Sequence, residues 1–207
     1  MFNFKKKEVE KKTAPILIYT EQTPNPDTLK FVTSRILFDG MGDFSSIETA
    51  EEWSPFATEL YNFPYVKNIV INKNFVSIDK DPNSNWREIM FEIKDFIKKY
   101  LEEGKVIVKD GYKEMLEAEW QRKKESGEIG DIEEKIAEII DQHVKPWIEQ
   151  DGGGIEYLGF KNGVVTVRLY GACSTCSSAT VTLKAGVEQI LKSMVPDVKE
   201  VVQDFGY

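Results

Sequence analysis

Cys173 and Cys176 are the two cysteines of the chain, and they stand three positions apart in Gly-Ala-Cys-Ser-Thr-Cys, residues 171–176. Thiolates ligate metals and also attack disulfides. At this spacing both sulfurs point to one side, so the pair can grip one metal centre or close into a redox disulfide. The flanking residues are small or hydroxylic: Gly171, Ala172, Ser174, Thr175, Ser177, Ser178, Ala179 and Thr180. Small side chains let a bulky group or a second backbone approach, and hydroxyl and amide groups can hydrogen-bond to sulfur. Ser174 and Thr175 are N-cap candidates, which puts Cys176 in the first turn of a helix. Open backbone N–H groups and the helix dipole there favour a thiolate.

Four chemistries fit such a pair. The cysteines can be inert, as small buried hydrophobes. They can be a thiol–disulfide oxidoreductase centre, because strand–CxxC–helix is the thioredoxin arrangement. Against that, they follow an antiparallel hairpin, and no aromatic residue or proline stands between or beside them. They can bind zinc, but one CxxC supplies two of four ligands, and His143 is the single histidine. Or they can hold an iron–sulfur cluster. Such clusters usually take four thiolates, and two chains related by a two-fold axis would supply two each. Residue types and spacing leave the oxidoreductase and shared-cluster readings open.

The surrounding elements divide the chain into a tail (1–14) and three zones. From 15 to 103 the pattern is that of an α+β domain. "ILIYTEQ" reads as a strand, "TPNPDT" as a turn, and "LKFVTS" as a second strand, with Leu29, Phe31 and Thr33 alternating against Lys30 and Val32. "SPFATELYNF" is helix-like with Pro55 in its first turn, and "VKNIVINKNFVSID" is a hairpin turning through Asn72-Lys73-Asn74. Trp86, Ile89, Met90, Ile93, Phe96, Ile97 and Tyr100 recur at helical period. Residues 104–130 are charge-dense and read as a partly helical linker, with Met115, Leu116 and Trp120 as a weak apolar stripe.

Residues 131–207 form the second small α+β unit, in the order α-β-β-α-β. Asp131 with Glu134 resembles a capping box. Ile132, Ile136, Ile139, Ile140, Val144 and Trp147 mark one helix face, with a break or kink expected at Pro146. "DGGG", 151–154, is a sharp turn whose glycines permit close approach beside the cysteine loop. Asn162-Gly163 is a tight hairpin turn, and Val165, Val167 and Leu169 share one strand face. Leu183, Val187, Ile190, Leu191 and Met194 form a second helical stripe, Pro196 ends it, and "VKEVVQ" is a last strand.

Composition narrows the function classes. With 41% hydrophobic and 30% charged residues the 207-residue chain can build cores. A net charge of −8 repels phosphate backbones, so nucleic-acid binding is not expected. The lysines between Lys5 and Lys12 read as a solvated basic tail. No run reaches the roughly 18 apolar residues that span a bilayer, so no membrane partner is expected. The N-terminal stretch has no apolar h-region, contains Glu8 and Glu10 and has no Arg. Those features predict a cytosolic, cytoplasmic chain whose thiols stay reduced. No acid/base pair, triad or phosphate loop points to an enzyme.

Residues 144–153 ("VKPWIEQDGG"), 164–176 ("VVTVRLYGACSTC") and 182–201 ("TLKAGVEQILKSMVPDVKEV") resemble the NifU C-terminal, or Nfu, domain family of iron–sulfur cluster scaffolds and carriers. "TEQTPNPDTLKF" (20–31) and "FPYVKNIVINKNFVSIDKD" are similar to the separate Nfu N-terminal domain. The resemblance implies that Cys173 and Cys176 are the ligands of a [4Fe-4S] cluster, or of a [2Fe-2S] form, bridging a homodimer. It also implies an upstream assembly scaffold as donor and recipient apo-proteins as partners. Two positions depart from the family pattern: Ser177 stands where proline usually follows the second cysteine, and Gly154 where an acidic residue usually follows "DGG".

Overall fold

The chain folds into two α+β lobes joined by a helical linker. The structure, a computed structural model, describes residues 15–127, 129–173 and 177–204, without the side chains of 177–181. The tail read at 1–14 lies outside the described residues, and so does Cys176.

In the first lobe, strands β1 (Ile18–Gln22), β2 (Thr28–Thr33), β3 (Phe38–Asp43), β4 (Val66–Lys73) and β5 (Phe75–Lys80) make an antiparallel sheet in the order β1-β2-β5-β4-β3. Helices α1 (Ile47–Trp53), α2 (Pro55–Leu60) and α3 (Trp86–Glu102) complete it. The expected β4–β5 hairpin is present, with Lys73 taking the left-handed turn position at φ 38°. Asn85 starts α3 by accepting the Arg87 N–H at 3.0 Å. Ile89, Ile93, Ile97 and Tyr100 are then buried, as their period predicts. Phe31, Ile69, Ile71, Val76 and Ile78 meet them from one face of the sheet, together with Phe56 and Leu60 of α2.

Strand β3 and helix α1 are findings beyond the sequence reading. Phe-Asp-Gly-Met-Gly-Asp carries two glycines and no β-branched residue, so propensity argues against a strand. Pairing to β4 overrides it, with a register shift between Phe38 and Met41. Gly42 is required there, because a Cβ would meet the Phe44 ring at 2.5 Å.

The linker holds α4 (Tyr112–Glu125). Tyr112 is buried among the rings of Phe38, Phe44 and Trp53, with centroids 5.3–5.9 Å away. Trp120 reaches Tyr157 of the second lobe edge-on at 6.2 Å, and Lys124 pairs with Glu134.

The second lobe runs α5 (Asp131–Ile139), a π-helical turn (Ile140–Val144), α6 (Lys145–Gln150), β6 (Gly153–Lys161), β7 (Val164–Gly171), α7 (Ser177–Met194) and β8 (Glu200–Asp204). β6 and β7 are antiparallel, and β8 lies parallel to β7. Asn162 and Gly163 both have positive φ, 55° and 90°, as the tight turn requires. Two local expectations are corrected. Gly130, not Asp131, is the N-cap, and Glu133 rather than Glu134 reaches back to accept its N–H at 3.1 Å. Of the break or kink expected at Pro146 there is no break: the chain stays helical, and the irregularity is a π turn just before the proline. The wider π turn, closed by the Lys145 N–H on the Ile140 carbonyl, takes up the space its ring needs. The core joins Ile136, Ile140, Val144 and Ile148 to Ile155, Val165, Val167, Leu169, Leu183, Val187 and Leu191. Ile132 and Met194, at the ends of their stripes, stay exposed. Among the described residues no helix is long and apolar enough to cross a membrane.

Candidate functional site

β7 ends at Gly171, α7 begins at Ser177, and Cys173 lies between them. The strand positions it by register: Gly153 of β6 pairs with Gly171 of β7 where the hairpin meets the cysteine loop. Gly171 has φ +62°, and a Cβ on it would stand 2.7 Å from the Gly152 carbonyl oxygen. The Ala172 N–H donates to that same oxygen at 3.4 Å. The loop is therefore laid directly on the turn that joins α6 to β6.

Cys173 is 4% exposed and belongs to the apolar core of the second lobe. Its neighbour is Gly153. A Cβ on Gly153 would fall on the Cys173 sulfur and come within 2.9 Å of its Cβ and 3.1 Å of its backbone nitrogen. The glycine-rich turn thus does what its composition suggests and brings bare backbone against the cysteine. Gly154 has a separate reason. A Cβ there would enter the Tyr170 ring and stand 2.7 Å from the Met41 sulfur. The acidic residue usual at this position has no room beside Tyr170, which accounts for one of the two departures. Nothing described here bears on the other, Ser177.

Sequence reasoning missed the side chains around this turn that come from the first lobe. β2, β4 and β5 are buried on both faces. The face turned away from α3 carries Lys30, Val32, Val70, Asn72, Phe75 and Ser77, and the second lobe packs on it. Lys30 Nζ donates to the Gln150 carbonyl at 3.2 Å and ion-pairs with Glu21 at 3.0 Å. It also sits 4.3 Å from the Phe75 ring centroid. The Tyr170 hydroxyl donates to the Met41 sulfur at 3.1 Å. Burial pushes that hydroxyl well above its ordinary pKa, with the carboxylates of Asp43 and Glu156 adding to it. Burial likewise raises the Asp43 carboxyl to about 6, against the lowering bond from Ser45. Alternation of Lys30 with Phe31, or Ser77 with Ile78, reads as a solvated face, so no sequence signal announces this contact.

Among the described residues no three His, Cys, Asp or Glu side chains gather as a metal site, and His143 is exposed on the π turn. Residues 136–202 match the family described as NifU-like domain. Residues 18–104 match the one described as scaffold protein Nfu/NifU N terminal. A NifU-like protein of Schizosaccharomyces pombe is 32% identical over 199 residues, covering 91% of this chain and 72% of that protein.

The chain belongs to the Nfu/NifU scaffold family. The Saccharomyces cerevisiae "NifU-like protein, mitochondrial" is 35% identical to it over 205 residues, covering 91% of this chain and 80% of that protein. The Drosophila persimilis "NFU1 iron-sulfur cluster scaffold homolog, mitochondrial" is 33% identical, covering 92% and 66%. Nfu proteins are iron–sulfur cluster scaffolds and not enzymes, so the general role of this chain is scaffolding. The cytoplasmic expectation is corrected by these relatives, which are mitochondrial by name, as is an Arabidopsis thaliana relative. That expectation rested on Glu8, Glu10 and the missing Arg, and a charge pattern in one terminal stretch does not determine a compartment.

Proposed function

We propose that this Nfu protein carries a [4Fe-4S] cluster between two copies of the chain, each giving Cys173 and Cys176, and hands it to recipient apo-proteins. The observation that carries this reading is the setting of Cys173. Its loop joins β7 to α7 in the NifU-like domain, and Gly153 is pressed on its sulfur. Two thiolates per chain leave half the usual coordination to a second copy. We take residues 131–207 as the cluster-binding unit, 15–103 as the unit that selects recipients and 104–130 as the connector.

Handover needs ligand exchange and no change of oxidation state. A recipient thiolate forms an Fe–S bond as a bond to Cys173 or Cys176 breaks, and the released thiolate takes up a proton. A cluster held by two bonds per chain can be taken over one bond at a time, and separation of the two copies completes release. An upstream scaffold donates by the same exchange in reverse.

Anaerobic reconstitution with iron and sulfide tests this. Wild type should turn brown, and iron and sulfide counts separate [4Fe-4S] from [2Fe-2S]. Cys173→Ser and Cys176→Ser should each stay colourless. A colourless wild type that reduces a disulfide substrate would instead support the thiol–disulfide oxidoreductase alternative.

A further inference from the structure

The turn that packs on Cys173 is itself held from outside its own lobe. Gly152, at φ +77°, lies so close to the first-lobe sheet that a Cβ on it would meet Ser77 Oγ at 2.7 Å, Thr23 Cγ2 at 3.4 Å and Lys30 Cδ at 3.6 Å. On the opposite strand a Cβ on Gly171 would meet Val70 Cγ2 at 3.2 Å. Ser77 and Val70 are neighbours across β4 and β5. The sheet therefore presses on both glycine strands at the point where Gly153 pairs with Gly171, one residue from the contact with the Cys173 sulfur. Lys30 ties down the end of α6, two residues before Gly152, through the Gln150 carbonyl.

A cluster shared with a second chain needs that sulfur at a surface, and here it is 4% exposed. The contact between the lobes is suited to parting. Ser77 Oγ, Asn72 Nδ2 and Asp43 Oδ1 are buried on this face of the sheet with no hydrogen-bond partner among the described residues. Each regains water when the lobes separate, so opening repairs polar groups that closure leaves unpaired.

We propose that this face of the first-lobe sheet is a clamp: closed on Gly152 and Gly171 it keeps Cys173 in the core, and its opening delivers the thiol for cluster exchange. The second half of that statement rests on the cluster reading above. The first half does not, and the two are tested by different readouts.

The test uses the full chain with Cys176→Ser, which leaves Cys173 as the single thiol. Its alkylation by iodoacetamide is timed with and without Ser77→Leu, a wedge aimed at Gly152 from a side chain that faces away from the first lobe's core. Local opening limits the reaction of a buried thiol, so the wedge should speed it by about tenfold or more with the far-ultraviolet spectrum unchanged. Lys30→Ala removes a tie without adding bulk and should act in the same direction if Ser77→Leu fails to fold. Equal rates in the parent and in whichever of these variants folds overturn the clamp. With both cysteines present, Ser77→Leu should also take up iron and sulfide faster. Faster alkylation with no cluster in any variant keeps the clamp on Cys173, overturns its role in cluster exchange and overturns the cluster reading. A bound cluster with unchanged alkylation does the opposite.

Discussion

The two faces of the five-stranded sheet are built from the same strands and behave as different materials. Toward α2 and α3 the face is Phe31, Ile69, Ile71, Val76 and Ile78, fully buried and without polar atoms in their side chains. Toward the second lobe it is Lys30, Asn72, Ser77 and Asp43 interleaved with Val32, Val70 and Phe75, and several of the polar atoms have no partner. Both faces exclude water, but only one gains the full benefit of doing so. Apolar burial stabilises by about 25 cal/mol per Å², whereas a buried unpaired polar group costs about 1–3 kcal/mol. Burial is therefore the same on the two faces while the polar pairing is not. The first face is a core and the second is a seat.

The largest effect should come from the core face. Phe31→Ala removes a fully buried ring beside Trp86 and should cost about 3–5 kcal/mol in urea unfolding. On the seat face, Ser77→Leu should cost about 1–2 kcal/mol, since a tenfold gain in opening corresponds to about 1.4 kcal/mol and the first-lobe core stays intact. A stability loss at Ser77 matching that at Phe31 would erase the distinction between the faces.

Gly153→Ala comes next. It pushes a methyl group onto the Cys173 sulfur, so the loop has to shift, and overpacking of this kind costs about 1–3 kcal/mol. Thermal unfolding should show the loss, and cluster uptake should fall with it. Unchanged melting would mean that the turn is not seated on the cysteine.

A smaller effect is set by pH. Burial raises the carboxyls of Asp43 and Asp79 from 3.8 to about 6, in each case against lowering hydrogen bonds. The folded chain therefore holds these protons between about pH 4 and 6, where the unfolded chain has released them. Their contribution to stability is fully present below about pH 4 and is lost as pH rises through about 6. Asp79 is held by Thr28 and Asn68 within the first lobe, whereas Asp43 has one oxygen unpaired on the seat. Asp43→Asn should remove about half of the slope these two groups give over that window, which amounts to about 1 kcal/mol per pH unit. An unchanged slope in chemical unfolding at pH 5 and 6 would remove Asp43 from the account.

Much of the fold was legible because it obeys simple periods. The β4–β5 and β6–β7 hairpins, α3 and α7 follow from alternation, helical repeat and the turn residues Asn162-Gly163. β3 was not legible, since its glycines argue against a strand and only pairing to β4 makes one. The form of the irregularity at Pro146 was not legible, because sequence shows the missing N–H but not the π turn that absorbs the ring. At the site, the closeness of the glycine turn to Cys173 could be read from composition, while the other half of the cysteine pair, Cys176, lies outside the described residues. Gly154 could not be explained before register put Tyr170 opposite it. The seat could not be found at all, since Lys30, Asn72 and Ser77 look like solvent-facing positions until a second lobe covers them.

Native mass spectrometry of the anaerobically reconstituted protein would show whether one cluster is held by Cys173 and Cys176 from each of two chains. A species of two chains carrying one [4Fe-4S] unit should appear, and it should be absent from Cys173→Ser. A single chain carrying its own complete cluster, or paired chains with no iron, would contradict the shared cluster.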